Sequence, residues 1–494
     1  MSQITVEKIA KQTAAPTAWW TQCAWTITAF LLLTIVLAIR SNGFIAADAC
    51  SHYLYAKYAF ADPVNIVDVW GRPLVTLLFA GPAWLAGRMG VKIACVLMTA
   101  ACGLVAGLIA RDQNHRNPAL AVLLTLGQPL LILFSFAEMT ELPFALILSL
   151  AMWAFGRRQW VIFALLCGLL PAARPEGFAF LLVAMAILLL MRRLLPLAVL
   201  IVPLLAWDIA GWVITGRDGH WWMWLSHAWP WSTTSGYGRG NILCFVAVLP
   251  VLVSPFVLPA TLAGIGLKLR GFLSLPRHAI SDPTALHPLL CRVMVAAVPC
   301  MILISHSILR ALGKFGTLGE ARYLLVAAPL WGVLSAAGWE WIFATFNWKN
   351  RWRWAVVAVI LPALVNVAYR VLPVRLDRDW LAAQSFATMV RQHELPAGHD
   401  RIISSHPGVY YFLNIDPTQN SRQNSFTRAT IQRLPPHSIL VWDPIYSAQN
   451  ANLDDTSTLD AIRKSGWILL PEVSQHLTDM PNSGGQWAIF RSPT

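Results

Sequence analysis

Long apolar runs closed by short polar or basic stretches set the pattern of this chain. The first covers residues 21–39. It is too long for a signal-peptide core and lacks a clear cleavage site, so it reads as a retained first span. Further runs cover residues 91–110, 118–136, 142–156, 161–173, 177–191, 195–215, 242–267, 294–309, 323–346 and 354–372. A helix of about 20 apolar residues crosses a bilayer core, and these runs predict about 11 spans. Residues 71–90 are apolar but short and are broken by Pro73, Pro82 and several glycines. They read as a re-entrant or membrane-skimming piece. After residue 377 the pattern becomes polar. Strand-like runs at 401–405 and 438–443 alternate with helix-like stretches at 380–393 and 458–465, which predicts a small α/β domain.

The fold class expected is an all-α polytopic membrane bundle with a small C-terminal extracytoplasmic α/β domain. Residues 1–372 form the bundle, with a first external loop at 40–90, and residues 373–494 form the domain. Basic residues orient it. Lys8 and Lys11 place the N-terminus in the cytoplasm, and Arg111/Arg116, Arg157/Arg158, Arg192/Arg193, Lys268/Arg270 and Lys349/Arg351/Arg353 meet each returning span. The domain then lies outside, periplasmic for an inner-membrane protein of a bacterium.

Composition agrees. The 494 residues are 57% hydrophobic and 12% charged, against about 25% charged in soluble proteins. The +13 net charge punctuates the apolar runs and so argues for topology rather than nucleic acid. Eight cysteines are scattered, none after Cys300, so the polar tail has no disulfide framework. No cofactor is indicated. A divalent metal is compatible with the acidic residues, but no ligand spacing supports one.

The chemistry lies in charges beside apolar runs, because ionisable groups are costly in lipid unless they have a role or a partner. On this topology they fall at one external level. They are Asp48 and His52 one helical turn apart, Arg72, Glu138 and Glu141 in FAEMTELPF, Arg174 and Glu176 in AARPEG, and Glu320 and Arg322 in GTLGEARYLL. A shared level argues for one polar cavity lined by several loops. Asp208 and Glu340 sit inside apolar segments without a role. Tyr53 and Tyr55 read as interfacial aromatics. The loop at 220–237 carries five tryptophans between Trp221 and Trp231, which suit lipid headgroups or sugar rings. The following GYGRG lacks the strand-to-helix context of a nucleotide fingerprint.

These motifs, in order and sidedness, resemble the GT-C superfamily of membrane glycosyltransferases, which includes protein O-mannosyltransferases, aminoarabinose transferases and polyprenyl-phosphate-mannose-dependent enzymes. The resemblance rests on Asp48 in AADACSHYLYA followed by WGRPLVTLL, the turn with Thr140 and Glu141, the ARPEG turn, and GEARYLLVAAPL. It departs where many relatives carry an acidic pair at Asp48, and where the second turn begins with Glu138 rather than Asp. It implies an inverting transfer of a sugar from a polyprenyl phosphate to a glycan, lipid or protein acceptor. Asp48 serves as base, with a pKa that burial would raise. Arg322 is the first phosphate candidate, since its planar fork binds phosphate bidentately, or it forms a structural ion pair with Glu320 or another acid. Arg72, Arg174 and Lys314 follow it. Glu141 orients substrate hydroxyls or pairs with an arginine. His52 hydrogen-bonds Asp48 or the acceptor, or is a simple helix-face histidine. Glu138, Glu176, Glu320 and Tyr323 support the substrate. His406, Tyr410 and Asp443 are polar residues of the tail with mostly structural readings. The rival functions are a transporter or flippase of lipid-linked saccharides, which would be expected to show internal repeats and mid-membrane charges, and a non-catalytic assembly subunit of the same fold.

Overall fold

The computed structural model describes residues 16–216, 238–273, 282–314, 319–346, 354–359, 372–392, 402–416, 436, 438–451, 458–480 and 485–492. The tryptophan-rich loop at 220–237, Lys8, Lys11, the basic group at 349–353 and most of the run at 354–372 lie outside these residues.

The bundle begins with α1 (Pro16–Arg40), α2 (Ala47–Tyr58), the single turn α3 (Val64–Val67) and α4 (Pro73–Asp112). It continues through α5 (Pro118–Leu126), α6 (Pro129–Phe134), α7 (Glu141–Gly156), α8 (Trp160–Ala173), α9 (Gly177–Leu190) and α10 (Leu194–Thr215). After these come α11 (Cys244–Val253), α12 (Leu258–Leu273), α13 (Pro283–Leu312), a 3-10 segment (Ala321–Ala327) and α14 (Ala328–Thr345). Among the described residues five helices are long and apolar enough to cross a membrane, and a sixth span forms if the pair α11–α12, bent by 110°, counts as one. The helices α7, α8 and α9 are apolar but shorter. Two expected spans are broken. The run at 118–136 divides between α5 and α6, where Gly127 and Gln128 interrupt the helix. The run at 242–267 divides at Ser254, whose φ of 81° cannot continue a helix.

Residues 73–90 fold back on themselves. The helix breaks at Ala86 and Gly87, the latter at φ 57°, a region glycine enters without steric cost. A Cβ on Gly90 would stand 2.1 Å from the Pro82 carbonyl oxygen, a contact that a straight helix, rising about 1.5 Å per residue, could not make. The 13 residues before the break span only about 20 Å, short of the ~30 Å core. Just past the break, Arg88 donates to the carbonyls of Asn42 and Gly43, at 2.8 and 2.5 Å. This ties the bend to the loop that follows α1.

Glycines also set the closest helix pair. A Cβ on Gly338 of α14 would meet the Ala260 carbonyl oxygen at 1.7 Å, and one on Gly264 of α12 would meet that of Leu334 at 2.0 Å. Small residues facing each other let backbones approach where lipid provides no hydrophobic drive.

The C-terminal part holds α15 (Arg378–Arg391), β1 (Ile402–Ser404), α16 (Pro407–Leu413), β2 (Ile439–Trp442), α17 (Tyr446–Ala451), α18 (Leu459–Lys464), β3 (Ile468–Leu469), α19 (Pro471–Asp479) and β4 (Ala488–Arg491). The strands form one sheet in the order β1-β2-β4-β3, with β1 and β2 parallel and the other pairs antiparallel. Alternate side chains cover opposite faces: Ile439, Val441 and Ile489 on one, Leu440, Ala488 and Phe490 on the other. This part rests on α2 and the loop before it. Gly43 N–H donates to the Val374 carbonyl at 3.1 Å. The Cys50 thiol faces the Pro407 carbonyl at 3.7 Å, and Phe44 packs on Trp380 and Tyr411 with ring centroids 4.8 and 5.1 Å apart.

Replacing Gly338 by leucine should lower stability by about 1–3 kcal/mol or more, as overpacking does, read as a fall in the thermal unfolding midpoint of the detergent-purified chain. Gly156→Ala, where an added Cβ meets nothing, should leave it unchanged. Equal midpoints for both would show that the α12–α14 contact does not limit stability.

Candidate functional site: a shared arginine pit

α2 begins after Ala46, an extended residue, and puts Asp48 in its first turn, where the helix dipole favours a carboxylate. The 3-10 segment brings Arg322 against it, with Nη2 of Arg322 2.7 Å from Oδ2 of Asp48. The same nitrogen lies 2.5 Å from Glu320, and Nε lies 3.7 Å from Oε1 of Glu141. That oxygen of Glu141 also accepts from Arg174 at 2.7 Å. Arg174 continues to Thr140 at 2.8 Å and to Glu176 at 2.8 Å. His306 of α13 ends the chain of contacts, its Nε2 3.5 Å from Glu176. The turns after α1, before α7, between α8 and α9, and before α14 therefore meet in one network. Arg322, Arg174 and Glu141 are buried, while the Asp48 side chain is 41% exposed, so the acid forms the open edge of a buried cluster.

The electrostatics separate the acids. Burial pushes the Asp48 carboxyl up, but Arg322, His52 and Arg72 outweigh it and hold it below the ordinary carboxylate value. The rise expected from burial alone is thus reversed by the guanidinium beside it. Glu320 goes the other way. Burial raises it first, and Asp48 and Glu141 add to the rise against Arg322. Two acids sharing one cation are pushed apart in this manner. Glu176 is carried well below its usual value, burial being overcome by Arg174 and His306. Burial is also the main influence on His52, with Arg72, Arg322 and Arg174 acting the same way against Asp48, and its pKa falls to about 3. The ring is therefore neutral near pH 7.

His52 stacks on Trp70, centroids 4.9 Å apart, and its buried Nδ1 makes no hydrogen bond among the described residues. No hydrogen bond joins it to Asp48 among the described residues. Arg72 is buried and donates to the Val69 carbonyl at 3.0 Å. Its charge is made costly by burial first and then by Arg174, while Glu176, Asp48 and Asp68 support it. Tyr323 separates the two wings. The Arg174 and Arg322 guanidiniums lie 5.4 and 5.7 Å from its ring centroid, within cation–π range, and His306 stacks on it at 5.2 Å. Among the described residues, buried polar atoms that make no hydrogen bond gather here: Glu141 Oε2, Arg322 Nε and Nδ1 of His306. Such atoms are rare unless a ligand or water meets them.

Several expectations change. Glu138 turns away from this cluster and pairs with Arg88 at 2.6 Å, clamping the bend of α4. Lys314 lies just past the end of α13, half-buried. Tyr53 and Tyr55 are buried rather than interfacial, 5% and 6% exposed, because the C-terminal part and Trp70 cover them. Glu340 accepts backbone N–H groups of Arg116 and Asn117 at 3.3 and 2.8 Å, which caps α5. His406, Tyr410 and Asp443 are satisfied internally. His406 joins Asp379 at 3.0 Å and accepts from Gly408 N–H, Tyr410 OH accepts from Ser404 N–H, and Asp443 accepts from three successive backbone N–H groups. His306, Trp70 and Arg88 escaped the sequence reading. His306 carried a usable signal, an ionisable residue inside an apolar run. Among the described residues no group of three or more His, Cys, Asp or Glu side chains could hold a metal ion.

Glu141→Gln should destabilise the chain by about 3–5 kcal/mol, since it leaves two buried guanidiniums under-compensated. Asp48→Asn, in a pair discounted for its exposure, should change stability by about 1 kcal/mol or less. Chemical or thermal unfolding of the two variants side by side checks the order, and the reverse order would contradict it.

No protein-family model and no curated protein matches this chain by sequence. Solved structures match by shape. ArnT from Cupriavidus metallidurans in the apo state superposes with a TM-score of 0.61 at 11% identity, covering 97% of this chain and 100% of that one. The same protein bound to undecaprenyl phosphate gives 0.57 at 13% identity over the same shares. The apo oligosaccharyltransferase of Archaeoglobus fulgidus gives 0.50 at 12% identity, covering 90% of this chain and 73% of that one. With five long apolar helices among the described residues and this near-complete overlap, the chain is an integral membrane protein with the fold of ArnT and of the archaeal oligosaccharyltransferase.

Proposed function

We propose that the chain is a glycosyltransferase that moves a sugar, hexose or pentose, from a polyprenyl-phosphate donor to an extracytoplasmic acceptor with inversion at the anomeric carbon. The observation that carries this reading is the Asp48–Arg322 contact at 2.7 Å, at the open edge of a buried cluster of guanidiniums. A base beside a phosphate-binding fork is what the reaction requires. An acceptor hydroxyl gives its proton to Asp48 as its oxygen attacks the anomeric carbon. The bond from that carbon to the phosphate oxygen breaks on the opposite face, and the polyprenyl phosphate leaves with both electrons. Arg322 and Arg72 stabilise the charge that develops on the leaving phosphate. The near-complete overlap with ArnT bound to undecaprenyl phosphate supports a lipid-linked donor. Glu141 and Arg174 hold Arg322 in place, and Glu176 and Tyr323 line the same pit. The membrane assigned is the bacterial inner membrane, with about 11 spans, the N-terminus cytoplasmic and residues 373–494 periplasmic.

In the free protein Asp48 is held low by Arg322, so it is ionised but weakly basic. A donor phosphate that takes over Arg322 removes the stabilising cation, and the Asp48 pKa rises toward a useful value. A second reading exchanges the two acids. Glu320 shares Arg322 and is already raised, which suits it to accept the proton.

Asp48→Asn and Glu320→Gln, assayed for sugar transfer after reconstitution, separate the two. With Asp48 as base, its variant loses about 10²–10⁴-fold in kcat and retains donor binding, whereas Glu320→Gln loses far less. Retention of transfer by Asp48→Asn rejects the mechanism. The pH profile is a further check. The depressed Asp48 pKa places the acid limb of kcat/KM, which reports free enzyme, below the ordinary carboxylate range, and the limb of kcat should lie at higher pH. Coincident limbs would mean that donor binding leaves the Asp48–Arg322 pair intact.

A further inference from the structure

We propose that the end of the bundle opposite the Asp48 pit carries a binding site for the headgroup of an anionic phospholipid. α7 and α9 both start beside the pit, just after Thr140 and Glu176, and both end on the far side in turns of the same construction. After α7, Arg158 N–H bonds to the Phe155 carbonyl and Gln159 N–H to that of Ala154. After α9, Arg192 N–H bonds to the Leu189 carbonyl and Arg193 N–H to that of Leu188. This paired closure puts one residue in the left-handed region, a place usually given to glycine. Here arginine occupies it twice, Arg158 at φ 59° and Arg192 at φ 55°, at a steric cost that glycine would avoid.

The two turns flank a cleft of about 620 Å³ lined by Arg158, Arg192, Arg193, Trp160, Leu194 and Leu195. The three arginines are exposed, and none is paired with a carboxylate among the described residues. Arg158 Nε lies 3.4 Å from His287 Nδ1, and the Arg193 guanidinium lies 5.3 Å from the Trp160 ring. Leu194 and Leu195 are 72% and 73% exposed. A soluble phosphate compound would use the cations and leave the leucines unused. A phospholipid uses both, its phosphate on the guanidinium forks and its chains along the leucines, with Trp160 at headgroup depth. Orientation by basic residues explains charge at this end, but it does not require the charges to converge on one apolar-walled cleft. On the orientation proposed above, this is the cytoplasmic leaflet. The site is independent of catalysis.

Native mass spectrometry of the full chain in neutral detergent, titrated with dioleoylphosphatidylglycerol and separately with dioleoylphosphatidylcholine, tests it. The wild type should retain the anionic lipid at least about tenfold better, and the variant R158Q/R192Q/R193Q should lose about tenfold of that retention. Inorganic phosphate at millimolar concentration should not displace the lipid. Leu194→Ser with Leu195→Ser keeps every charge and should weaken retention as well. Retention by the triple variant within about twofold of wild type overturns the proposal, and displacement by inorganic phosphate replaces it with a soluble-anion site. If the triple variant does not fold, Arg192→Gln alone carries the same comparison, with a smaller loss supporting the site and unchanged retention overturning it.

Discussion

Arg322 is a buried guanidinium shared by carboxylates from three separate turns, and this end of the bundle is arranged around the cost of placing it there. An ion taken out of water is tolerated only when its partners are near and its donors are used. Asp48 and Glu320 meet its Nη2 at 2.7 and 2.5 Å, and Glu141 approaches its Nε at 3.7 Å. Glu141 must then serve Arg174 too. The start of α7 and the ARPEG turn therefore cannot move independently of the loop that carries Asp48. A single ion-pair network fixes the relative positions of four connections that the helices alone would leave loosely defined.

The same network explains the shape of the segment at 40–90. α2 is held on two sides: one presents Asp48 to Arg322, and the other is covered by the C-terminal part through Cys50 and Tyr53, with Phe44 of the preceding loop beside them. Residues 73–85 lie against it, ended by the glycine break and by the clamp of Arg88 on Glu138. The acid is thereby held from behind by packing and from the front by charge. Its side chain stays 41% exposed.

Much of this was legible in the sequence, because charge beside apolar runs is costly enough to be informative. Asp48, Arg322, Glu141, Arg174 and Glu176 stood out as charges at one level, and the structure brings them into contact. The fold-back at 71–90 was visible in Pro73, Pro82 and the glycines. The strands at 402–404 and 439–442 followed from short apolar runs between turn residues. Other features depend on contacts that no local pattern encodes. Tyr53 and Tyr55 look interfacial until a distant segment covers them. Glu138 and Glu141 sit three residues apart, yet one clamps a bend and the other joins the pit, because Arg88 arrives from a different helix. Hydropathy registers the run at 242–267 as one span, since a left-handed Ser254 leaves no mark on an apolar average.

The pit contains four carboxylates, Asp48, Glu141, Glu176 and Glu320, facing three guanidiniums, Arg72, Arg174 and Arg322. With every group ionised, the cluster would carry an excess of negative charge at the place where the proposed donor phosphate binds. The raised Glu320 carboxyl is the physical release from this conflict. Burial first, then Asp48 and Glu141, disfavour its charged form, whereas Arg322 favours that of Asp48. Protonation there frees part of Arg322 for a phosphate and leaves Asp48 charged. The separation of these two acids has two sources: burial, which raises Glu320 before Asp48 adds to it, and the guanidinium, which holds Asp48 down. One buried arginine with two partners thus supplies the pit with both an anion and a group ready to become neutral.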